Sequence, residues 1–377
     1  MKLIILQENF LKGLNIVNRI ASSNKNSLPI LNNILLEARQ GVLDLITTNL
    51  EIAVKSSIRS KIEKEGKITI PAQILTSYIS LLESGPLILN LEGDELEIKT
   101  KNSKTKIKGI SAEDFPIIPQ VERKHKYVIQ SDLLKKCIEN VDFCVSSSET
   151  RMEISGLLFN FNNPENGKLN IVGTDSYRLA EVQTILDKSS SEDKISVIIP
   201  LKTVQEVSKN LLEDKKDVEL YLSENQVLFI NGEDEVVSRL ISGQFPDYKL
   251  IIPKNFRSRA TLDKELFLKA VKLCGLFTKS GINDINIKIK AEESKIVVSS
   301  TNNQLGENTT EIDCQIYGED NEIVFNYRFL LDGLLTLNQD EVILEMINDA
   351  TPAILRAEKE KDYVYLIMPI KHQEANN

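Results

Sequence analysis

The sequence predicts an α+β chain made of three copies of one unit, each an antiparallel sheet with two helices packed on one face. Three landmarks predict it, and they recur in one order at nearly constant spacing. The first is a polar start followed by apolar residues at helical spacing, opening at Gln7, Gln130 and Leu262. Aligning Leu11, Leu134 and Phe267 sets the copies 123 and 133 residues apart. The second is a strand, a Thr-Asn or Thr-Asp turn and a returning strand, within Leu43–Val54, Leu169–Val182 and Lys295–Ile312. Thr48, Thr174 and Thr301 are spaced by 126 and 127. The third is a strand running into a helix at Pro71, Pro200 and Asn326, spaced by 129 and 126. Proline suits a first helical turn, where no donor is needed.

Taken in order, MKLIILQENF reads as a first strand, because it lacks a signal peptide's longer apolar region and cleavage site. A β-rich stretch of hairpins follows each second helix, and each unit is expected to hold about eight strands and two helices. Polar seams at Glu122–Lys126 and Pro253–Ser258 give domains 1–122, 123–254 and 255–377. At 377 residues the chain is too long for one ordinary core. No apolar run approaches the roughly 20 residues that span a bilayer.

Cys137, Cys144, Cys274 and Cys314 form no CxxC pair and read as buried reduced thiols in a cytoplasmic protein. Cys137 and Cys144 share a face if one helix runs through both. With two histidines and no HExxH, Walker loop or GxGxxG, no catalytic residue, metal or cofactor is expected.

The hairpin Ile171–Val182 carries Thr174, Asp175 and Ser176 in its turn, then Tyr177, Arg178 and Leu179. Locally it is a β-hairpin with a snorkelling arginine. An acid–base cluster of Asp175, Tyr177 and Arg178 is the enzymatic alternative. Its weakness is that the first and third copies keep the turn but lose the arginine.

The net charge of −9 argues against gripping nucleic acid by the whole surface but allows a segregated basic face. The cations fall on the helices: Lys12 and Arg19 flank Asn15, Lys202 and Lys209 flank Gln205, and Lys135, Lys136, Lys269 and Lys272 add to them. Acids gather in hairpin turns, as at Glu92–Glu95 and Glu233–Glu235. Repeats closing head to tail with helices inside would neutralise phosphates without reading bases. A triplicated scaffold that binds only proteins is the remaining alternative.

Several motifs then coincide: Leu28-Pro29-Ile30-Leu31 with Asn33, Ala112-Glu113-Asp114-Phe115-Pro116, Thr174 to Ala180, Gln244-Phe245-Pro246-Asp247-Tyr248, Phe325-Asn326 and Met368-Pro369. Over essentially its full length the chain resembles the β sliding clamps of bacterial DNA polymerase III. The resemblance implies three DNA-clamp domains per chain, each with two helices on the inner face. Two chains would close head to tail into a six-domain ring around double-stranded DNA of any sequence. It implies a non-catalytic processivity factor, cytoplasmic and nucleoid-associated during replication, with no membrane contact. Partners would be the polymerase III catalytic subunit, the clamp loader, and other polymerases and repair proteins, through short peptide motifs.

Carried over by motif, the peptide pocket between the central and C-terminal domains would use Ile154, Thr174, Ser176, Tyr177, Arg178, Leu179, Pro246, Leu250, Ile251, Ile282, Asn326, Phe329, Pro352, Leu366, Ile367, Met368, Pro369 and Ile370. Lys25 and the helix cations would face the DNA. Ile74, Tyr78 and Leu82, spaced as one helix face, with Ile107, would meet Leu276 and Phe277 of another copy. The chain departs from the family in having Ser176-Tyr177 where Gly-His is frequent, Leu250 where a base is frequent, and His372 near its end.

Overall fold

The computed structural model describes residues 1–22, 28–146, 150–161, 168–189, 194–210, 216–279 and 281–370. Lys25 and His372 lie outside them. Among the described residues there are six helices: α1 (Gln7–Ser22), α2 (Ala72–Ser80), α3 (Ser131–Glu139), α4 (Leu201–Asn210), α5 (Lys264–Gly275) and α6 (Tyr327–Thr336). The described residues hold 27 strands, nine in each repeat rather than the eight expected. None of the helices is long and apolar enough to cross a membrane.

By packing, the chain falls into two units. In the first, a nine-stranded sheet runs Lys188–Ser189, His125–Gln130, Asp217–Leu222, Gln226–Asn231, Asp234–Arg239, Ile52–Arg59, Val42–Thr48, Asn33–Arg39, Gly66–Pro71. A five-stranded sheet runs Lys61–Lys64, Lys2–Leu6, Pro86–Glu92, Glu95–Lys99, Lys104–Lys108. In the second unit the nine-stranded sheet runs Ile195–Pro200, Gly156–Phe161, Leu169–Thr174, Arg178–Thr184, Tyr363–Ile367, Ala353–Arg356, Glu341–Met346, Ser258–Asp263, Gln315–Gly318. A four-stranded sheet runs Gly306–Asp313, Lys295–Asn302, Asp284–Lys290, Asn321–Asn326.

These orders are one pattern written three times. Counting strands from the start of each repeat, every repeat makes a five-strand set ordered 5-1-7-8-9 and a four-strand set ordered 4-3-2-6. Each long sheet forms where the ninth strand of one repeat pairs antiparallel with the fourth strand of the repeat before it. Both joints have the same register. The first residue of the ninth strand faces the fifth of the fourth strand, Asp234 on Ser56 and Tyr363 on Val182.

The Thr-Asx turns are also one structure. Thr48 Oγ1 donates to the Ile52 carbonyl at 2.9 Å and Thr174 Oγ1 to that of Arg178 at 2.7 Å. Asn49 Oδ1 and Asp175 Oδ1 each accept two backbone N–H groups, and Leu50 and Ser176 take matching left-handed φ values of 77° and 78°. In the third copy Asn302 Oδ1 accepts from Gln304 and Leu305, and the turn is one residue longer before Gly306.

Three local expectations change. The fourth residue of α1 is Phe10, fully buried, as are Leu134 and Phe267 at the fourth positions of α3 and α5, so the repeats align on Phe10 rather than Leu11. Pro71 and Pro200 end their strands instead of entering the helix, and Pro71 is the N-cap of α2 at φ −53°, ψ 118°. A proline there offers no cap, whereas Asn326 at the same place accepts from Arg328 N at 3.0 Å. Finally, α3 stops at Glu139, so Cys137 and Cys144 share no helix, though both are buried and free.

Candidate functional site

The second unit holds an apolar cluster whose cover is incomplete. Ile154, Leu158, Val172, Leu179, Ile198, Phe245, Tyr248 and Leu366 are buried together, with Ile241, Ile252 and Met368 half-buried against them. The sheet supplies most of this floor, because Leu179 faces Leu366 across the joint and Thr174 across the hairpin. Tyr248 and Phe245 meet edge to face, with centroids 6.3 Å apart. The Tyr248 hydroxyl donates to the buried Glu181, which also accepts from Asn170 Nδ2 at 2.6 Å.

Apolar side chains stand exposed on the segments around this floor: Tyr177, Leu250 (82 % exposed) and Ile251. The short 3₁₀ turn Tyr248–Ile251 buries its tyrosine and projects Leu250 outward. Met368 N donates to the Tyr177 carbonyl at 2.8 Å, tying the chain beyond the last strand to the hairpin turn. The Tyr177 ring stacks on Phe329 of α6, with centroids 6.4 Å apart.

Arg178 fixes that wall. Its Nε donates to Asp175 Oδ2 at 3.0 Å, Nη1 to Asp332 of α6, and Nη2 to the Phe143 carbonyl at 2.7 Å. Its guanidinium lies over the Phe329 and Phe143 rings, 4.6 and 5.5 Å from their centroids. Burial works against its charge, but Tyr365, Asp332 and Asp175 outweigh it and hold its pKa above the ordinary value. With its donors engaged inside the protein, Arg178 is a buttress between hairpin and helix rather than a free charge. Sequence reasoning missed Asp332 and Phe143, which are 154 and 35 residues from Arg178, and no local signal marks them.

The remaining expected pocket residues divide. Thr174 and Ile367 are buried in the sheet, and Pro246 and Pro369 are half-buried. Asn326 caps α6. Ile282 is exposed in the turn before Asp284–Lys290. Ile370 donates its N–H to Val324 and borders a wide polar hollow with Asn286 and Asn348, away from the cluster. Pro352 lines a smaller hollow with Phe256 and Ile354.

Of the expected DNA-facing cations, Lys12, Arg19, Lys136, Lys202, Lys209, Lys269 and Lys272 are exposed on α1, α3, α4 and α5, and Lys135 is half-buried. Of the expected dimer residues, Ile74 and Leu276 are 58 % and 68 % exposed, so neither is core of its own chain. Tyr78 and Phe277 are half-buried. Leu82 lies past the end of α2 at Ser80 and so continues no helical stripe, and Ile107 is buried inside its own sheet.

Residues 1–119, 128–247 and 249–371 match the sequence profiles of the DNA polymerase III beta subunit, N-terminal, central and C-terminal domains. A beta sliding clamp of Staphylococcus aureus is 29 % identical over 98 % of this chain and 99 % of its own. The solved sliding clamp of Bacillus subtilis has 27 % identity, a TM-score of 0.92 and coverage of 99 % of both chains. A Bartonella birtlesii sliding clamp solved bound to griselimycin has 28 % identity and a TM-score of 0.92, covering 99 % of this chain and 100 % of that one.

Proposed function

The chain belongs to the DNA polymerase III beta-subunit family, the sliding clamps, and on that premise we propose how its own residues serve the clamp's work. The family's function is established: it is a non-catalytic DNA sliding clamp that tethers the polymerase and confers processivity. A tethered polymerase rebinds its primer end at high effective concentration instead of diffusing away.

Partner peptides dock against the half-buried Met368, Ile241 and Ile252 that lie over the buried Leu179 and Leu366, between the central and C-terminal domains bounded at 123–254 and 255–377. The observation that carries this is an apolar floor walled by exposed Tyr177 and Leu250. The griselimycin-bound relative supports a ligand site in this family. Phe and Leu anchors would pack on the floor while Ser176 and Pro246 meet the peptide backbone. A labelled peptide ending in leucine and phenylalanine tests it by fluorescence titration on the whole protein. Binding in the micromolar range, about −8 kcal/mol, should weaken at least tenfold in Tyr177→Ala/Met368→Ala. Equal binding by that variant sinks the assignment.

Two copies close through their remaining sheet edges. In each long sheet a ninth strand pairs with a fourth strand, which among the described residues leaves Lys104–Lys108 and Gly306–Asp313 unpaired by this rule. Three lysines on the first edge and Glu307, Glu311 and Asp313 on the second support the match. Ile74 and Leu276 would flank it. Six domains then surround DNA, met by the cations of α1, α3, α4 and α5. The setting is the cytoplasm, at the nucleoid during replication.

A further inference from the structure

The register that floors the peptide cleft recurs one repeat earlier. In the first unit Ala53 stands opposite Thr48 as Leu179 stands opposite Thr174, and Val237 faces Ala53 as Leu366 faces Leu179. Leu228 pairs with Val237 as Ile354 pairs with Leu366. Two central side chains are smaller: alanine for leucine and valine for leucine. Lys55 holds the place of Glu181 and Asp44 that of Asn170, so an ion pair at 3.6 Å replaces the buried Glu181–Asn170 hydrogen bond. What results is a cavity of about 480 Å³ between this floor and the segment Ile118–Val121, within the usual size of ligand clefts.

Its rim is positive. Arg39, Lys55 and Arg123 border it against one carboxylate, Glu235. Arg39 and Lys55 lie 3.3 and 3.6 Å from Asp44, which neutralises one of them, and exposed Arg123 lies over the Tyr221 ring. A cationic rim is notable in a chain of net charge −9.

We propose that this hollow is a second docking site, for an extended peptide whose apolar anchor is flanked by carboxylates. The floor takes the anchor, and Arg39 and Arg123 take the acids. A rim of cations on one site and of exposed Tyr177 and Leu250 on the other would select different segments. The inference rests on the peptide-cleft reading only for the kind of occupant.

The test uses the full chain and two labelled peptides, one ending in leucine and phenylalanine, the other with sequence Glu-Asp-Leu-Phe-Glu-Asp. The acidic peptide should saturate a site of its own. Arg39→Glu/Arg123→Glu should weaken it at least tenfold without changing the first peptide's binding. Ala53→Leu, which restores the side chain present at the matching position of the next repeat, should weaken it similarly without altering rim charge. Three results overturn the proposal: no saturable binding of the acidic peptide while the first peptide binds, loss of its binding in Tyr177→Ala/Met368→Ala, or its displacement by a short DNA duplex in a manner abolished by the same rim reversals. Failure of the first peptide alone would count against the earlier cleft and leave this one standing.

Discussion

Arg178 shows how one side chain carries both wall and fold. Arg178→Ala removes three donors and a cation from between two aromatic rings, leaving Asp332 and Asp175 unpaired. The cost should be about 2–4 kcal/mol, read as a lower urea midpoint with unchanged slope. Arg178→Lys should recover little, since an ammonium cannot reach three acceptors in a plane. The turn residues give the opposite sign. Ser176 and Leu50 hold left-handed φ values that only glycine adopts freely. Ser176→Gly and Leu50→Gly should each stabilise by about 0.5–1 kcal/mol, seen as a higher Tm; a lower Tm would mean the Arg151 bond to Ser176 outweighs strain. The resemblance to the family implied glycine at this position, but the φ of Ser176 was not readable from the sequence. Glu97 adds a pH dependence. Hydrogen bonds from Lys104 and Lys99, at 2.7 and 2.6 Å, hold its pKa down to about 2. A depressed carboxylate stabilises above its unfolded pKa and is lost as pH falls through the folded value. Stability should therefore drop more steeply between the ordinary carboxylate range and pH ~2 than in Glu97→Gln, followed by circular dichroism.

Among the elements, α6 is tightly constrained. A Cβ on Gly333 would sit 2.2 Å from Tyr365 Cε1, and the Tyr365 hydroxyl donates to the Phe329 carbonyl at 2.7 Å. Gly333→Ala raises helix propensity yet should cost about 1–3 kcal/mol from overpacking and loosen Phe329 beneath Tyr177. Denaturant unfolding and the peptide titration together check it; an unchanged midpoint would show that the ring can move aside. Asn326→Ala should cost about 1 kcal/mol as a lost cap. Helix existence, strand alternation and the Thr-Asx hairpins were legible because period and turn chemistry are local signals. The boundaries at Pro71, Phe10 and Leu82 were not, because each depends on where the strand before or the packing beneath stops the helix. Asp332 escaped for the same reason: an acid on an amphipathic helix reads as solvated until its distant arginine is found.

For the whole molecule, the edge-strand argument predicts association through charge. Glu307→Lys/Glu311→Lys should shift sedimentation from dimer toward monomer, and Lys104→Glu/Lys106→Glu in the same chain should recover the dimer. A double variant that stays dimeric would place the contact elsewhere. Triplication itself was legible from three spaced landmarks, but the sharing of sheets was not, since no residue in a strand announces which repeat its neighbour comes from. That sharing has a consequence for dissection. A central repeat excised at 123–254 would carry a bare ninth strand on one side and a bare fourth strand on the other, already matched in register to each other. Such a fragment is a self-complementary monomer. It should add copies end to end in solution until it closes on itself, making the intact chain, in effect, half of such a closed assembly.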